Sequence, residues 1–599
     1  MDSDQRRKRK QQRQQQLQQQ SKRLLPLWSL LICCLFLLYL YSDRLSVSSS
    51  KLRPALVFSD VSLLTSYSVV NSVKEFDVNE FGGMVRVEDR VLFPDHVLLL
   101  VVKSNFQTED LECVYRLEED FKVVTKRVVS TDEYDDFRSI VRCPLLSVNG
   151  STAVYLRMKE MGSVEEEERG GGGGGGDVYS WDTVSYEAAL DGDTAVVFVK
   201  GLNLKPDRVS DPTHFFCYFG LGKLDRNDTF VLTTKAVSAA QEAVRCSLPR
   251  SIRINPDKAF GVRVTVGVDQ IYHGRVVNHT VLPSVAAISG RGETKRRRRR
   301  IRARAKAKYE MCVCTMVWNQ AFALREWIMY HSWLGVERWF IYDNNSDDEI
   351  KEVISELEEN EYRVTRHTWP WIKTQEAGFS HCAIRAKDEC NWVGFFDVDE
   401  FFYFPVQTRH GRGMNELSVP GENSLRNLVA NYSSSATVGE IRTTCHSFGP
   451  SGLHSPPKQG VTTGYTCRLQ SPERHKSIIR PDALDSSLLN VVHHFHLKEG
   501  FRYKNVLQST ALINHYKYQV WDVFKAKFYR RVATYVADWQ ENQNEGSKDR
   551  APGLGTEAIE PPNWHLQFCE VWDTGLRDMV LANLGNPMTG KLPWERMGI

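Results

Sequence analysis

Residues 394–404, with the sequence GFFDVDEFFYF, place three carboxylates inside an otherwise aromatic and aliphatic run. Side chains of a strand alternate between its two faces, so Asp397 and Asp399 are expected to point the same way. Two neighbouring carboxylates repel unless a cation lies between them, and carboxylate oxygens are ligands of divalent cations. A metal site and an acidic surface turn both explain this short pattern, so its surroundings must separate the two interpretations.

The elements around these carboxylates predict an α/β domain. Strands are predicted at 311–317, 336–343 and 362–367, with helices at 321–335 and 349–360 between them. This βαβαβ order predicts a parallel sheet that binds ligands at the carboxyl ends of its strands. Asp343, which begins the acidic turn DNNSDD, falls at one strand end, and Asp397 and Asp399 fall at another. Two acidic strand ends at one crevice favour a nucleotide and metal site over a surface turn.

Before this domain, residues 91–290 consist of short β-branched and aromatic runs separated by turn residues, which predicts an all-β, sandwich-like module. The module looks duplicated, because Cys113 and Cys143 recur as Cys217 and Cys246 about 104 residues later. Each pair is predicted to form a disulfide. A glycine run at 170–176 lies between the halves and lacks the flanking strand and helix of a phosphate loop. Such a module either binds glycan or spaces the domain that follows it.

The remaining cysteines predict weaker pairings from proximity in sequence alone, namely Cys382 with Cys390 and Cys445 with Cys467. Cys312 and Cys314 lie two residues apart on a strand, which is too far for an unstrained bridge, so they are predicted not to pair with each other. Eleven cysteines follow residue 41, and an odd count leaves at least one free thiol.

The N-terminal residues predict a membrane anchor. Residues 24–41 form an uncharged apolar run long enough to span a bilayer, and eight Lys and Arg residues precede it in 1–23. The expected order is a cytosolic tail, the anchor, a stem at 42–90 and a lumenal remainder. A cleaved signal peptide is the alternative, but the basic region is too long and no small-x-small site follows the run. Glycosylation sequons suit a lumenal chain and occur at Asn149, Asn227, Asn278, Asn344 and Asn431.

Charge bears on the class of partner. The net charge is only +3, because the excess basic residues are concentrated in the tail and in residues 291–308. A lumenal basic run is a solvated linker rather than a nuclear signal, and the rest of the chain is balanced. Nucleic acid is therefore not an expected partner.

Several ordered motifs between 309 and 539 resemble the plant family 92 glycosyltransferases, and they are CVCTMVWNQAFALREWIMYHSWLGVERWFIYDNNSDD, WPWIKTQEAGFSHC, WVGFFDVDEFF, HSFGPSG, HKSIIRP and INHYKYQVWDVFKAKF. Characterised members of that family extend β-1,4-galactan. The resemblance implies a GT-A fold, which is a Rossmann-like α/β fold, for residues 309–599. It also implies a type II Golgi membrane topology and an Asp-x-Asp site for a nucleotide sugar with a divalent metal.

The resemblance further implies a metal-ligand set. A divalent cation, expected to be Mn²⁺, neutralises the diphosphate leaving group. Asp399 is expected to bind it directly, and Asp397 to bind the metal, its waters or the ribose. A histidine near the end of such domains often completes the set. Strand alternation in VVHHFHL puts His494 and His496 on one face, but the resemblance favours His515.

Donor and base residues follow from the same resemblance. The turn formed by Asp343, Asn344, Asn345 and Ser346 is expected to face the uridine or ribose, so the Asn344 sequon should stay unmodified. Lys373 and Lys476 are candidates to contact phosphate. An inverting transfer needs a base that takes the acceptor hydroxyl proton. The predicted catalytic set is Asp397, Asp399 and Glu376, and the alternatives left open for the base are Glu440, Glu473 and Asp482.

The expected function is inverting, metal-dependent transfer of galactose from UDP-galactose to a cell-wall polysaccharide such as pectic β-1,4-galactan, in the Golgi membrane. A homodimer is left open. Trp369 and Trp371 are either sugar platforms or, as is more usual for such residues, core. One alternative is a non-catalytic glycan-binding membrane protein that uses the β module, and another is a metal-dependent glycosidase that needs no nucleotide.

Overall fold

The computed structural model describes residues 84–103, 108–117, 123–146, 152–159, 177–220, 232–254, 259–272, 275–289, 308–405, 407–411, 414–418, 421–491, 493–535 and 560–595. The predicted tail and anchor, nearly all of the predicted stem and linker, and the sequons at Asn149 and Asn227 lie outside these residues. Within the described part of the chain, no helix has the length and apolar character that crossing a bilayer requires. The sequons at Asn278 and Asn431 are exposed.

The described residues of the N-terminal part form strands and one short α-helix. In chain order the strands are β1 (Met84–Val85), β2 (Val87–Leu92), β3 (His96–Val102), β4 (Leu111–Leu117), β5 (Val123–Arg127), β6 (Ser130–Glu133), β7 (Arg138–Pro144), β8 (Thr152–Met158), β9 (Val178–Ser180), β10 (Ser185–Asp191), β11 (Thr194–Val199), β12 (Phe215–Gly220), β13 (Leu232–Ala240), β14 (Ala243–Ser247), β15 (Arg263–Tyr272) and β16 (Arg275–Val281). Helix α1 (Arg250–Ile254) follows β14.

The two halves of this module share one pairing order. In the first half β3 lies between β2 and β7, while β4 lies between β5 and β8. In the second half β11 lies between β10 and β14, while β12 lies between β13 and β15. The predicted disulfides Cys113–Cys143 and Cys217–Cys246 are confirmed, and each joins corresponding strands of its half.

The C-terminal part mixes helices with a large sheet. Its strands are β17 (Tyr309–Val317), β18 (Arg338–Asp343), β19 (Val364–Thr368), β20 (Cys390–Phe395), β21 (Glu400–Tyr403), β22 (Gln407–Gly411), β23 (Met414–Ser418), β24 (Val438–Ser447), β25 (Cys467–Arg468), β26 (Arg474–Ile479), β27 (Asn490–Val491), β28 (His494–Phe495), β29 (Arg502–Asn505), β30 (Leu512–His515) and β31 (Val571–Trp572). Its α-helices are α2 (Ala321–Trp333), α3 (Ile350–Glu359), α4 (Gln375–Ala386), α5 (Ser424–Ser433), α6 (Val461–Gly464), α7 (Trp521–Tyr535) and α8 (Gly575–Leu584).

The main sheet has the order β19-β18-β17-β20-β26-β24-β30-β21, with β29 paired to β24. Strands β17 to β20 are mutually parallel, so the parallel βαβαβ prediction is confirmed. Strand β26 is antiparallel to both of its neighbours, which makes the sheet mixed. The carboxyl ends of the parallel strands therefore share one edge, and β21 returns beside β30.

The other disulfides differ from the predicted ones. Cys312 bonds to Cys390, and Cys314 bonds to Cys382. Cys312 and Cys314 therefore do not pair with each other, as predicted. The third bond joins Cys467 to Cys569, and Cys445 is a buried free thiol. The proposed pairs Cys382–Cys390 and Cys445–Cys467 are therefore wrong, because β17 lies beside β20 and α4 packs on β17.

The β module and the C-terminal part are packed together through aromatic residues. The rings of Trp181 and Trp371 stack with centroids 5.5 Å apart inside one buried cluster. Trp369 and Trp371 are fully buried, which confirms the core interpretation of these residues. Across the same junction Arg366 pairs with Asp132, and all described residues belong to one compact unit, Val69–Ile599. A shared core therefore holds the module against the sheet that carries the acidic turn.

Helix α2 contributes His331, which is completely buried. Its Nδ1 lies 2.8 Å from the Trp327 carbonyl oxygen, and the Phe402 N–H donates to Nε2 at 3.4 Å. The ring therefore links the helix to β21. Burial lowers the pKa of His331 to about 3, so the ring is neutral in the folded protein.

We expect acid to destabilise the fold through this histidine. The unfolded chain binds a proton at His331 below about pH 6.5, whereas the folded chain resists it down to about pH 3. The free energy of unfolding should therefore fall by roughly 5 kcal/mol over that window from this one group. Urea unfolding across the window should show a shallower pH dependence for His331→Gln than for His496→Gln, which changes an exposed histidine. Equal slopes in the two variants would contradict the expectation.

Candidate functional site

Asp397 and Asp399 lie in a turn. Strand β20 ends at Phe395, and β21 begins at Glu400, whose N–H donates to the Asp397 carbonyl at 3.1 Å. Gly394 allows the Phe396 ring to fold back on the strand, because a Cβ at 394 would lie 2.6 Å from that ring. The predicted strand alternation is therefore wrong for the two aspartates, and each meets its own set of partners.

Asp399 contacts two basic side chains from distant elements. The Lys527 ammonium, on α7, donates to Oδ2, and His515 Nε2 lies 3.5 Å from the same oxygen. The register of β21 with β30, which places Glu400 opposite His515, brings this histidine to the turn. Burial alone would raise the pKa of Asp399, but Lys527 and His515 outweigh it and hold that pKa well below its usual value.

Asp397 faces a buried lysine. Lys476 Nζ donates to Oδ2 at 2.7 Å and lies 3.0 Å from Glu400 Oε1. Burial again opposes ionisation, but the Lys476 ammonium outweighs it and lowers the pKa of Asp397. His493 Nε2 lies 2.7 Å from the same ammonium, and burial together with Lys476 lowers the pKa of His493 to about 3. The neutral ring therefore accepts a hydrogen bond from Lys476.

One cluster has the composition of a cation site. Ligand atoms of Asp399, Glu400 and His515 all lie within 4.8 Å of one another. Glu400 Oε1 is buried and, apart from the Lys476 ammonium 3.0 Å away, has no hydrogen-bond partner within the described residues. Two carboxylates with an imidazole suit Mn²⁺ better than Ca²⁺, so these residues fit such an ion. The structure thus brings together Asp399 and His515 of the predicted set, with Glu400 beside them, while Asp397 is turned to Lys476.

A cavity of about 530 Å³, which we call the main cavity, opens beside this turn. It is lined by Gln375, Asp397, Glu400, Thr444, Pro472, Glu473, Arg474, His475, Lys476, Val491, His493, His494, His515 and Lys517. Carboxylates and basic side chains lie together on its wall, which suits a ligand with both phosphate and hydroxyl groups.

The histidine-rich segment is folded as a hairpin. Strands β27 and β28 pair antiparallel, with Val491 opposite His494, so the continuous strand predicted for VVHHFHL is wrong. His494 Nδ1 lies 2.8 Å from Glu440 Oε1, and His496 is exposed. Of the three competing histidines, only His515 approaches Asp399 within the described residues.

The four carboxylates proposed as the catalytic base lie in different places and have different partners. Glu440 is fully buried and held by Arg442 and His494, and Asp482 is exposed and paired with Arg480. Glu376 lines a different cavity. Only Glu473 of these four lines the main cavity, so the structure does not bring Glu376 together with Asp397.

Glu473 is an ionised carboxylate in a hydrogen-bonded setting. Its Oε2 accepts hydrogen bonds from Ser447 Oγ and, at 3.2 Å, from Lys517 Nζ. Burial would raise its pKa, but the hydrogen bond from Ser447 and the Lys517 ammonium outweigh burial and lower that pKa. An ionised carboxylate on the cavity wall can accept a proton from a hydroxyl group.

The predicted donor turn is engaged in internal contacts. Asp343 is buried, pairs with Arg366 at 2.6 Å and accepts from the Ser346 N–H. The Asn344 side-chain amide donates to the Trp369 and Trp371 carbonyls, which agrees with an unmodified sequon. Asn345 accepts from Arg142 of the β module at 2.5 Å. None of these turn residues lines the main cavity, so their contact with uridine stays a prediction.

The two lysines predicted for phosphate are placed apart. Lys476 lines the main cavity, as described above. Lys373 lines a second cavity of about 360 Å³, which we call the junction cavity, together with residues 200–204, 206 and 241–243 of the β module and residues 374, 376, 377 and 380 of the C-terminal part. Glu376 lines the same junction cavity.

Sequence reasoning missed Lys527 and His493. Lys527 lies 128 residues after Asp399 on an amphipathic helix, where a lysine carries no local signal. Strand alternation in VVHHFHL would put His493 on the face opposite His494 and His496, yet it has φ 75° in the hairpin turn. A left-handed backbone at a histidine is uncommon, but it is visible only in coordinates.

The proteins of known family that resemble this chain share one family name. The model of glycosyltransferase family 92 matches residues 307–551. A Ricinus communis protein of that family is 57% identical over 562 residues, covering 94% of this chain and 93% of the relative. An Arabidopsis thaliana member is 54% identical over 574 residues, covering 95% and 94%. A similar protein from Oryza sativa subsp. japonica is 46% identical and covers 85% and 82%.

Solved structures match over smaller parts. Residues 1–349 of S. aureus TarS align with a TM-score of 0.22 and 10% identity, covering 37% of this chain and 65% of that chain. Glucosyl-3-phosphoglycerate synthase from Mycobacterium tuberculosis, in complex with Mn²⁺, UDP and glucosyl-3-phosphoglycerate, aligns with a TM-score of 0.18 and 14% identity, covering 30% and 60%.

Proposed function

Because the chain belongs to glycosyltransferase family 92 and is therefore a sugar-transferring enzyme, we propose that it moves galactose from UDP-galactose to a cell-wall polysaccharide such as pectic β-1,4-galactan. The proposal includes inversion at the anomeric carbon, a GT-A type of catalytic domain and a type II position in the Golgi membrane. The observation that carries it is the cluster of Asp399, Glu400 and His515 beside the main cavity.

Asp399, Glu400 and His515 are the residues that would hold Mn²⁺, and such an ion neutralises charge that develops on the diphosphate as the glycosidic bond breaks. Lys476 and Lys527 keep two ammonium groups beside the same turn. Ammonium groups bind phosphate oxygens as point charges, so these lysines are suited to orient the diphosphate.

We assign Glu473 as the base that deprotonates the acceptor hydroxyl. Its carboxylate lies on the wall of the cavity that contains Asp397 and Lys476. There it accepts the proton of the acceptor hydroxyl as that oxygen attacks the anomeric carbon. Ser447 and Lys517 hold the carboxylate in place, so its orientation does not depend on the substrate.

A donor screen tests the proposal. Full-length protein purified from secretory membranes is incubated with a panel of nucleotide sugars and with galacto-oligosaccharide acceptors, with and without Mn²⁺. Transfer from UDP-galactose that requires the ion supports the proposed donor and the proposed metal. Transfer of another sugar would contradict the proposed donor. Full activity after chelation would contradict the proposed metal dependence. Failure to turn over any nucleotide sugar would favour the alternative of a non-catalytic glycan-binding protein.

His515→Ala is expected to raise the Mn²⁺ concentration that gives half-maximal activity by about 10-fold or more, because one imidazole ligand is lost. His494→Ala is the matched variant, since His494 lines the same cavity but pairs with Glu440. Mn²⁺ titration of both variants, with UDP affinity measured in parallel, checks this. If the Mn²⁺ requirement is unchanged in His515→Ala but raised in His494→Ala, the metal ligand is His494 on β28 instead.

A further inference from the structure

Two polar side chains of the β module contact the segment around residues 343–346, the turn predicted to face the donor, which we call the donor turn. Asp132 on β6 pairs with Arg366, and Arg142 on the neighbouring strand β7 donates to Asn345. Neither module side chain lines the main cavity or the junction cavity. Any effect of these two residues on the reaction must therefore pass through the donor turn.

Arg366 links a carboxylate of each part. Its Nη1 donates to Asp132 Oδ1 at 3.0 Å, its Nη2 donates to Asp132 Oδ2, and its Nε donates to Asp343 Oδ2 at 2.7 Å. The side chains of Asp132, Arg366 and Asp343 are 11%, 16% and 0% exposed, so water screens these pairs little. A two-pronged contact between an arginine and a carboxylate fixes direction as well as charge. A carboxylate of the module therefore orients the guanidinium that holds the first residue of the donor turn.

Arg142 holds a residue of the donor turn that has a left-handed backbone. Its Nη2 donates to Asn345 Oδ1 at 2.5 Å, and its Nη1 donates to Ser130 Oγ at 3.1 Å within the module. Asn345 Nδ2 donates to the Pro370 carbonyl at 3.1 Å, so both parts of the protein hold this amide. Asn345 has φ 66°, and such a conformation persists where surrounding contacts fix it. The module supplies one of these contacts.

The donor turn is joined to the end of the next strand. Asn319, which follows β17, donates its N–H to Ser346 Oγ at 2.9 Å, and its Oδ1 accepts from the Asp347 N–H at 2.9 Å. Strand β17 lies between β18 and β20 and is parallel to both. The donor turn, Asn319 and the acidic turn at 397–399 therefore follow three adjacent strands at one edge of the sheet, where such sheets bind nucleotides.

We infer that Asp132 and Arg142 of the β module are positioning residues for the nucleotide-sugar donor, because they fix the shape of the donor turn. This rests on the proposed nucleotide-sugar donor and on the predicted contact of the turn with it. The module thereby raises the affinity for the donor without touching it. A purely structural role would lower the fraction of folded enzyme, and hence kcat, but would leave the affinity of the folded enzyme for the donor unchanged.

The test begins with Arg142→Met, which removes the hydrogen bond to Asn345 and keeps most of the side-chain length. Binding of UDP to the full-length enzyme, measured by calorimetry with Mn²⁺ present, should weaken roughly 10-fold, as expected when a hydrogen bond from a charged group is lost. KM for UDP-galactose should rise by the same factor, while kcat and KM for the acceptor stay within about 2-fold. Arg142→Lys, which keeps a cationic donor, should recover part of the affinity.

Arg157→Met is the matched control, since it removes an ion pair with Glu112 inside the same half of the module and should change none of these quantities. Asp132→Asn is a second variant if Arg142→Met does not fold. It keeps the volume and removes the charge that faces Arg366 and Lys351, so UDP binding should again weaken.

A double-mutant cycle locates the effect. Arg142→Met combined with Asn345→Ala should bind UDP no more weakly than the weaker of the two single variants, because both changes remove the same contact. Weaker UDP binding in the module variants supports the inference even where no transfer is seen. Unchanged UDP binding in Arg142→Met and Asp132→Asn, or additive losses in the cycle, would overturn it and leave the proposed transfer intact. An unmodified enzyme that does not bind UDP would contradict the proposed donor and this inference together.

Discussion

Asp399→Asn is expected to lower the rate of sugar transfer by about 1000-fold, the effect of losing several kcal/mol of transition-state charge stabilisation. Asparagine has almost the same volume but brings no negative charge, so it removes a ligand without disturbing the packing. Asp399 is only 13% exposed and meets Lys527 and His515, whose side chains are 17% and 10% exposed. Steady-state rates at saturating UDP-galactose, with the melting temperature measured alongside, check the expectation.

Asp397→Asn tests whether Asp397 contributes to the rate as Asp399 does. Its rate should fall by a similar or slightly smaller factor, but Lys476 is only 7% exposed and would lose one of its two carboxylate partners. A lower melting temperature should therefore accompany this variant, and also Asp399→Asn, which takes from Lys527 its carboxylate partner among the described salt bridges. Asp482→Asn is the control, since that exposed carboxylate pairs only with Arg480 among the described salt bridges. A folded Asp399→Asn enzyme with normal turnover would remove the metal assignment.

Local sequence patterns were sufficient for the sheet and for part of the site. Apolar runs of strand length alternating with amphipathic helices fixed the parallel order of β17, β18 and β19, because few topologies are compatible with that alternation. The repeated spacing of Cys113–Cys143 and Cys217–Cys246 predicted their bonds for a similar reason, since a duplicated unit repeats its contacts.

Contacts between elements distant in sequence could not be predicted in this way. Cys382 lies eight residues from Cys390, yet its helix packs on β17 and presents it to Cys314. Lys527 contacts Asp399 across 128 residues of sequence, and no residue near Lys527 indicates this. Four carboxylates were equivalent as bases in the sequence, whereas the fold buries one, exposes another and assigns two to separate cavities.

Glu473→Gln is therefore the second large effect we expect. An amide cannot accept the acceptor proton, and general-base catalysis contributes about 100- to 10,000-fold to a rate. kcat should fall by that factor, while UDP affinity changes little, because the carboxylate lies with Ser447 and Lys517 and not with the metal-ligand cluster. The low pKa of Glu473 means that the base stays ionised at neutral and mildly acid pH, so no loss of activity from its protonation is expected there.

Glu376→Gln distinguishes this assignment from the one made on sequence. If Glu473 is the base, Glu376→Gln should leave kcat within about 3-fold, because its side chain lines the junction cavity and not the main cavity. If kcat instead falls in Glu376→Gln and is preserved in Glu473→Gln, the reacting hydroxyl approaches from the side of α4. Single-turnover rates decide between the two, because they report the chemical step separately from product release.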